Sequence, residues 1–127
     1  MLIMFELSVT ASFSAAHFLR DYKGKCENLH GHNWKVEAAV RGDNIDKSGL
    51  LIDFKKLKEY LNRILGELDH QHLNELGAFG EVNPSSENIA VFIYRRLKIL
   101  LAGEKVDLVY IKVWEQDNSA VLYREGN

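Results

Sequence analysis

The chain has 127 residues, 46% apolar and 27% charged, with 16 basic and 18 acidic side chains for a net charge of -2. This reads as one ordinary globular domain, residues 1–127, and excludes a nucleic-acid binder held by general electrostatics. No apolar run approaches the roughly 18 residues of a membrane span. The single cysteine excludes an internal disulfide.

Met1–Glu6 has no basic region and is interrupted by an acid, so it is not a signal peptide and a cytoplasmic location is expected. Phe5 to Phe13 alternates apolar and polar residues, the period of a half-buried strand. Asn33 to Arg41 predicts a second strand, with Trp34, Val36, Ala38 and Val40 on one face and Lys35, Glu37 and Arg41 on the other. Gly42-Asp43-Asn44 breaks it. Asp53 suits the cap of a helix starting at Phe54, whose apolar stripe is Leu57, Leu61, Ile64, Leu65 and Leu68. A turn region, 74–84, precedes a second helix capped by Ser85 or Ser86. Ile89, Phe92, Ile93, Leu97 and Leu100 form its buried face. Val106 to Trp114 alternates again, and Ala120 to Arg124 is a short final strand. The order β-β-α-α-β-β predicts an α+β fold: a four-stranded antiparallel sheet with both helices on one face. Such a sheet leaves two exposed edges, which short domains commonly cover by oligomerising.

The residues suited to chemistry concentrate in Cys26-Glu27-Asn28-Leu29-His30-Gly31-His32. In an extended segment His30 and His32 point the same way. With His17 from a neighbouring strand they supply three imidazoles, and zinc on three protein ligands keeps an open position for catalysis. Cys26 is either an inert buried side chain, a thiol activated by Lys25 and the metal, or a fourth ligand closing the site. Asp69-His70 is either a proton shuttle oriented by its acid or a helix-end histidine. His72 reads as a surface residue. Glu115, at a strand end, is either exposed or an acceptor for two parallel donors of an amidine-like ring edge. Arg20, Lys23 and Lys25 form a basic group that either receives phosphates or is a solvated loop.

Several segments together resemble the pterin synthases of the tunnelling fold. They are Phe13 to His17, Cys26 to His32, Gly49 to Phe54, Leu68 to His70, Leu73-Asn74, Pro84 to Asn88 and Trp114-Glu115. That family comprises 6-pyruvoyl-tetrahydropterin synthase and 6-carboxy-tetrahydropterin synthase of queuosine biosynthesis, and the resemblance runs nearly end to end. It implies zinc on His17, His30 and His32, Cys26 as catalytic thiol, and Asp69 with His70 as proton relay. It also implies substrate contacts from Glu115, Ser85, Ser86 and Glu87, with Glu27 on the substrate side. Family members are hexamers of two stacked trimers whose sheets close into a barrel, with active sites between subunits. The implied partner is a pterin, 7,8-dihydroneopterin triphosphate, with neither nucleic acid nor membrane. Three residues separate Cys26 from His30, as in the bacterial carboxy-pterin enzymes. Glu27 departs from that type. Its Glu-x-x-His-Gly-His pattern resembles a subgroup that forms 6-hydroxymethyl-dihydropterin for folate synthesis, and Cys26 with Glu27 looks like a dual type. A non-catalytic zinc or pterin-binding module is a third reading, against which Cys26, Asp69 and His70 argue.

Overall fold

The structure is a computed structural model that describes residues 4–24 and 27–126, so Lys25 and Cys26 lie outside the described residues. Two long strands, β1 (Phe5–His17) and β2 (His30–Gly42), pair antiparallel along their whole length, with His17 opposite His30. Helix α1 (Phe54–Leu65) follows, then a two-residue strand β3 (Gln71–His72). Two 3-10 turns, Leu73–Glu75 and Gly77–Phe79, lead to helix α2 (Ser86–Leu100). Strands β4 (Asp107–Gln116) and β5 (Ser119–Tyr123) complete the sheet, whose order is β3-β1-β2-β4-β5.

The sheet therefore has five strands where periodicity predicts four. The addition is β3, which pairs parallel with β1 at Ala15 and Ala16. Two residues are too few to carry an alternating pattern. The long strands also outrun their apolar alternation: β1 continues to His17 and β2 begins at His30, so all three histidines sit at paired strand ends.

One face of the sheet is covered by both helices, α1 against β1 and α2 against β4 and β5. Side chains alternate across a strand, so Val9 and Phe13, then Trp34, Val36, Ala38 and Val40, then Ile111 and Val113 all face the helices and are buried. Leu57, Leu61, Ile64 and Leu65 of α1 meet them, as do Ile89, Ile93 and Leu97 of α2. Leu68, beyond the end of α1, is fully buried. Phe92 and Leu100, expected in the buried stripe of α2, are only half-buried.

The helix starts follow from local hydrogen bonding. The Asp53 carboxylate accepts from Lys55 N–H at 2.8 Å. Ser85, not Ser86, caps α2, accepting from Asn88 N–H at 3.2 Å. Each satisfies an amide that the first helical turn leaves without an intrahelical partner. No described helix is long and apolar enough to cross a membrane.

Candidate metal centre and proton relay

His17, His30 and His32 come together because the β1–β2 register places them there. His17 is opposite His30, and His32 is opposite Ala15, on the same face as His30. Ring centroids lie 4.7 Å apart for His17 and His30, 5.4 Å for His17 and His32, and 4.9 Å for His30 and His32. Trp34, fully buried, forms the floor, 5.0 Å from the His17 ring and 5.4 Å from the His32 ring.

Backbone carbonyls fix two of the tautomers. His17 Nδ1–H donates to the Pro84 carbonyl at 2.7 Å, and His30 Nδ1–H donates to the Asn28 carbonyl at 2.8 Å. A carbonyl only accepts, so the proton sits on Nδ1 and the Nε2 lone pair is free. The Nε2 atoms of His17 and His32 are buried without a hydrogen-bond partner. Burial also holds the His32 pKa below its ordinary value, against the opposing pull of Glu115. A neutral imidazole is the form that ligates a metal.

Glu115 closes the group. Its Oε1 lies 3.2 Å from His17 Nε2 and 3.1 Å from His32 Nε2, and one donor atom from each of the four residues falls within 4.8 Å of all the others. The sequence reading set Glu115 apart from the metal residues. The structure brings it to them because β4 pairs with β2 at Trp114 and Lys35, which puts residue 115 on the helix-facing side beside Trp34. Lone pairs converging on a carboxylate at this range repel one another unless a cation lies among them. The residues therefore suit a metal ion.

Asp69 and His70 meet as a pair on the outer edge of β1. Asp69 Oδ2 lies 2.9 Å from His70 Nδ1, while Asp69 Oδ1 accepts from Ser14 N–H at 2.9 Å. The His70 N–H donates to the Ser14 carbonyl at 2.6 Å. Ser14's amide, then His70, hold the Asp69 pKa below the usual carboxylate range, so Asp69 is ionised near neutrality. Its Oδ2 accepts from His70 Nδ1–H, which leaves Nε2 as the other ring nitrogen, facing outward. His70 adopts φ 59°, in the left-handed region that histidine visits more readily than most residues. Its side chain is 82% exposed. An open depression of about 520 Å³ lies between Ser14, Gly31, His32, Asn33, His70 and His72, within the size range of small-molecule sites. His72 Nδ1 faces Glu75 at 3.2 Å.

Ser85 and Ser86 follow Pro84, whose carbonyl holds His17, and the Ser85 hydroxyl is engaged as the helix cap. Glu87 is exposed in the first turn of α2. Cys26 lies outside the described residues.

Sequence reasoning missed the parts that hold these groups together. Beyond His17 the backbone is paired residue by residue to side chains. Asn74 Oδ1 accepts from Phe18 N–H and its Nδ2 donates to the Phe18 carbonyl, both at 2.9 Å. Asn83 does the same for Arg20, at 2.7 and 3.0 Å. Between them, Leu19 N–H donates to Glu27 Oε1 and Glu27 N–H donates to the Leu19 carbonyl, each at 3.0 Å. Arg20, read as part of a basic group, spends its guanidinium on the carbonyls of Val82 and Asn74. Amide pairings between segments more than 50 residues apart leave no periodic mark in a sequence. Asn83 stood out only as a member of a turn region, and Asn74 also through the Leu73-Asn74 segment of the resemblance.

Residues 6–126 match the family described as 6-pyruvoyl tetrahydropterin synthase. The dihydroneopterin monophosphate aldolase of Pyrococcus furiosus is 38% identical, over 87% of this chain and 90% of its own length. The 6-carboxy-5,6,7,8-tetrahydropterin synthase of Haemophilus influenzae is 34% identical, over 96% of this chain and 100% of its own. Among solved structures, 6-pyruvoyl tetrahydropterin synthase of Caenorhabditis elegans superimposes with a TM-score of 0.86 at 28% identity, covering 98% of each chain.

Proposed function

The chain belongs to the 6-pyruvoyl tetrahydropterin synthase family, and from that premise we propose that it is a zinc-dependent 6-carboxy-5,6,7,8-tetrahydropterin synthase. It converts 7,8-dihydroneopterin triphosphate and one water to 6-carboxy-tetrahydropterin, acetaldehyde and triphosphate, in the cytoplasm and within queuosine biosynthesis. The observation that carries the reading is the convergence of three imidazole nitrogens with Glu115 at the paired ends of β1 and β2. The spacing of Cys26 to His30 and the Haemophilus relative favour the carboxy-pterin product.

His17, His30 and His32 hold the metal, which when bound supplies Lewis acidity toward the side-chain oxygens of the substrate. The Cys26 thiolate moves protons on the substrate side chain. His70, oriented by Asp69, exchanges protons from the other side. Glu115 accepts the paired N–H donors of the pterin ring, and Ser85, Ser86 and Glu87 line the ring pocket. The exposed His70 serves a neighbouring subunit's site, in a hexamer of two trimers. The edges of β1 and β5 support this assembly. Among the described residues β3 covers β1 only at Ala15 and Ala16, and no strand pairs with the outer side of β5.

Glu115→Gln separates the ring anchor from a metal ligand. It swaps one acceptor oxygen for an NH₂ that meets a donor, and loss of a charge-assisted pair costs about 1.5–3 kcal/mol. Pterin affinity, followed by titration, is expected to fall roughly ten- to a hundredfold with metal retained. Unchanged pterin affinity together with lost metal would make Glu115 a fourth ligand and remove it as the anchor.

A second reading is a lyase on the same scaffold that forms 6-hydroxymethyl-7,8-dihydropterin for folate synthesis. Glu27 beside Cys26 and the Pyrococcus aldolase favour it. Incubating the zinc-loaded protein with 7,8-dihydroneopterin triphosphate and identifying the pterin decides between the two. A 6-carboxy product with equimolar acetaldehyde is expected; a dominant 6-hydroxymethyl product would favour the second reading. Pterin bound but unchanged would count against both.

A further inference from the structure

Among the described residues the Pro84 carbonyl is the one hydrogen-bond partner of His17 Nδ1, and Pro84 has no N–H of its own with which to hold that carbonyl in place. Its position comes from its neighbours. On one side, Ser85 is fixed as the cap of α2, accepting from Asn88 N–H. On the other side, Asn83 is fixed by three bonds. Its Oδ1 accepts from Arg20 N–H at 2.7 Å, its Nδ2 donates to the Arg20 carbonyl at 3.0 Å, and its own carbonyl accepts from Asn88 Nδ2 at 2.9 Å. Proline locks its own φ at about −65° and disfavours helical backbone at the residue before it. Little rotation is therefore left between Asn83 and the Pro84 carbonyl. Arg20 lies three residues beyond His17, so these contacts close a ring. It runs from His17 along the chain to Arg20, across two hydrogen bonds to Asn83, through the peptide bond to Pro84, and back to the His17 ring.

We propose that Asn83 is a positioning residue of the metal group: it holds the Pro84 carbonyl against His17 Nδ1, and so keeps the Nε2 lone pair of His17 directed at the ion. The assignment deepens the proposed function and rests on its reading of His17 as a metal ligand. Three features agree. The His17 ring is almost wholly buried, so bulk water does not replace a lost acceptor at Nδ1. The competing tautomer has a partner waiting. Glu115 Oε1 lies 3.2 Å from His17 Nε2, yet Nε2 makes no hydrogen bond, because the ring is held at an angle unsuited to one. A ring released from Pro84 is free to turn, carry its proton on Nε2 and donate to Glu115. In that form the nitrogen has no lone pair for a metal. Lastly, the Arg20 guanidinium donates to the Val82 carbonyl at 3.1 Å. The segment that presents Pro84 is thus tied to Arg20 by main chain and side chain together.

The test compares Asn83→Ala and Asn83→Asp with Asp46→Ala. Asp46 also makes two side-chain bonds to backbone, accepting from the N–H groups of Ser48 and Leu50. It lies in the loop after Gly42, at the end of β2 away from His30. Two quantities are read. One is the His17 ring nitrogen that carries the proton, from ¹⁵N shifts of the metal-free protein above the titration range of imidazole. The other is Zn²⁺ affinity, by competition with a chromogenic chelator. In Asn83→Ala part of the proton population is expected to move to Nε2. Zn²⁺ affinity should fall roughly tenfold, the low end of the loss when a metal ligand's hydrogen-bond partner is removed. Asn83→Asp keeps the acceptor for Arg20 N–H and loses only the donor to the Arg20 carbonyl, so a smaller shift of the proton is expected. Asp46→Ala should match wild type in both readings. Wild-type proton placement in folded Asn83→Ala would overturn the assignment; where alanine at 83 does not fold, the same result in Asn83→Asp would do so. Reduced affinity with the proton still wholly on Nδ1 would mean that Asn83 acts by another route, and would overturn it too. So would a shifted proton with unchanged affinity. An equal loss in Asp46→Ala would reduce the effect to general loosening. If the wild-type protein binds no Zn²⁺, the proposed metal reading fails, and proton placement still decides whether Asn83 positions His17.

Discussion

Alanine at His17, His30 or His32 is expected to release the bound metal. A site built on three imidazoles has no spare ligand, and each of these nitrogens is held for the purpose. Pro84 and Asn28 fix the His17 and His30 tautomers, and burial favours the neutral ring of His32. Loss of an outer-shell partner alone typically costs about 10–100-fold in metal affinity, so loss of a ligand should exceed that. The largest effect is expected at His17, whose ring is almost wholly buried and touches both other rings and Trp34. Metal analysis after dialysis against a weak chelator reads the stoichiometry directly. His72→Ala is the control, because its ring pairs with Glu75 and lies outside the group of four. Full metal in any one of the three variants would remove that residue from the ligand set. Loss of metal in His72→Ala would show that release reports a general loosening of this end of the sheet.

The same histidines show where sequence patterns inform and where they stop. The alternation of Trp34, Val36, Ala38 and Val40 marks a buried strand face because one side of the sheet is dry, and all four are fully buried. Leu57, Leu61, Ile64 and Leu65 mark a helix stripe for the same reason. His17 and His30 interrupt the apolar pattern, so both strands read shorter than they are. What extends them is their mutual pairing, a property of two segments and not of either alone. Asp53 and Ser85 were legible as caps because a cap bonds within its own turn. The braces at Asn74, Asn83 and Arg20 bond to residues more than 50 positions away, and strand β3 is two residues long; neither leaves a local signature. The placement of Glu115 against the histidines depends on the β2–β4 register, in which Trp114 pairs with Lys35, and residue 115 falls at the irregularity between Trp114 and Gln116 in the β4–β5 pairing. No reading of Val113-Trp114-Glu115 alone contains that register.

Cys26→Ala and His70→Ala are each expected to lose most turnover while metal content and pterin binding survive. Removing a positioned proton-transfer group typically costs about 10²–10⁴ in rate. For His70 the structure separates that role from a folding role. The ring is 82% exposed, and the fold-bearing contacts of this turn are made by the Asp69 carboxylate and by the His70 main-chain N–H, both to Ser14. Alanine at 70 keeps both, though it tolerates φ 59° less well than histidine, so His70→Asn, which tolerates the left-handed region, is the companion variant. Both should be equally inactive and folded. Strands advance about 3.4 Å per residue, so Ser14, where His70 is anchored, lies roughly 10 Å along β1 from His17, at the strand's outer edge. An exposed relay on a sheet edge is suited to a neighbour's site. Co-refolding Cys26→Ala with His70→Ala should therefore restore part of the activity, because some interfaces then pair an intact thiol with an intact relay. Mixed oligomers, verified by differential tagging, that stay inactive would place Cys26 and His70 in one chain's own site and remove the case for a site shared between subunits.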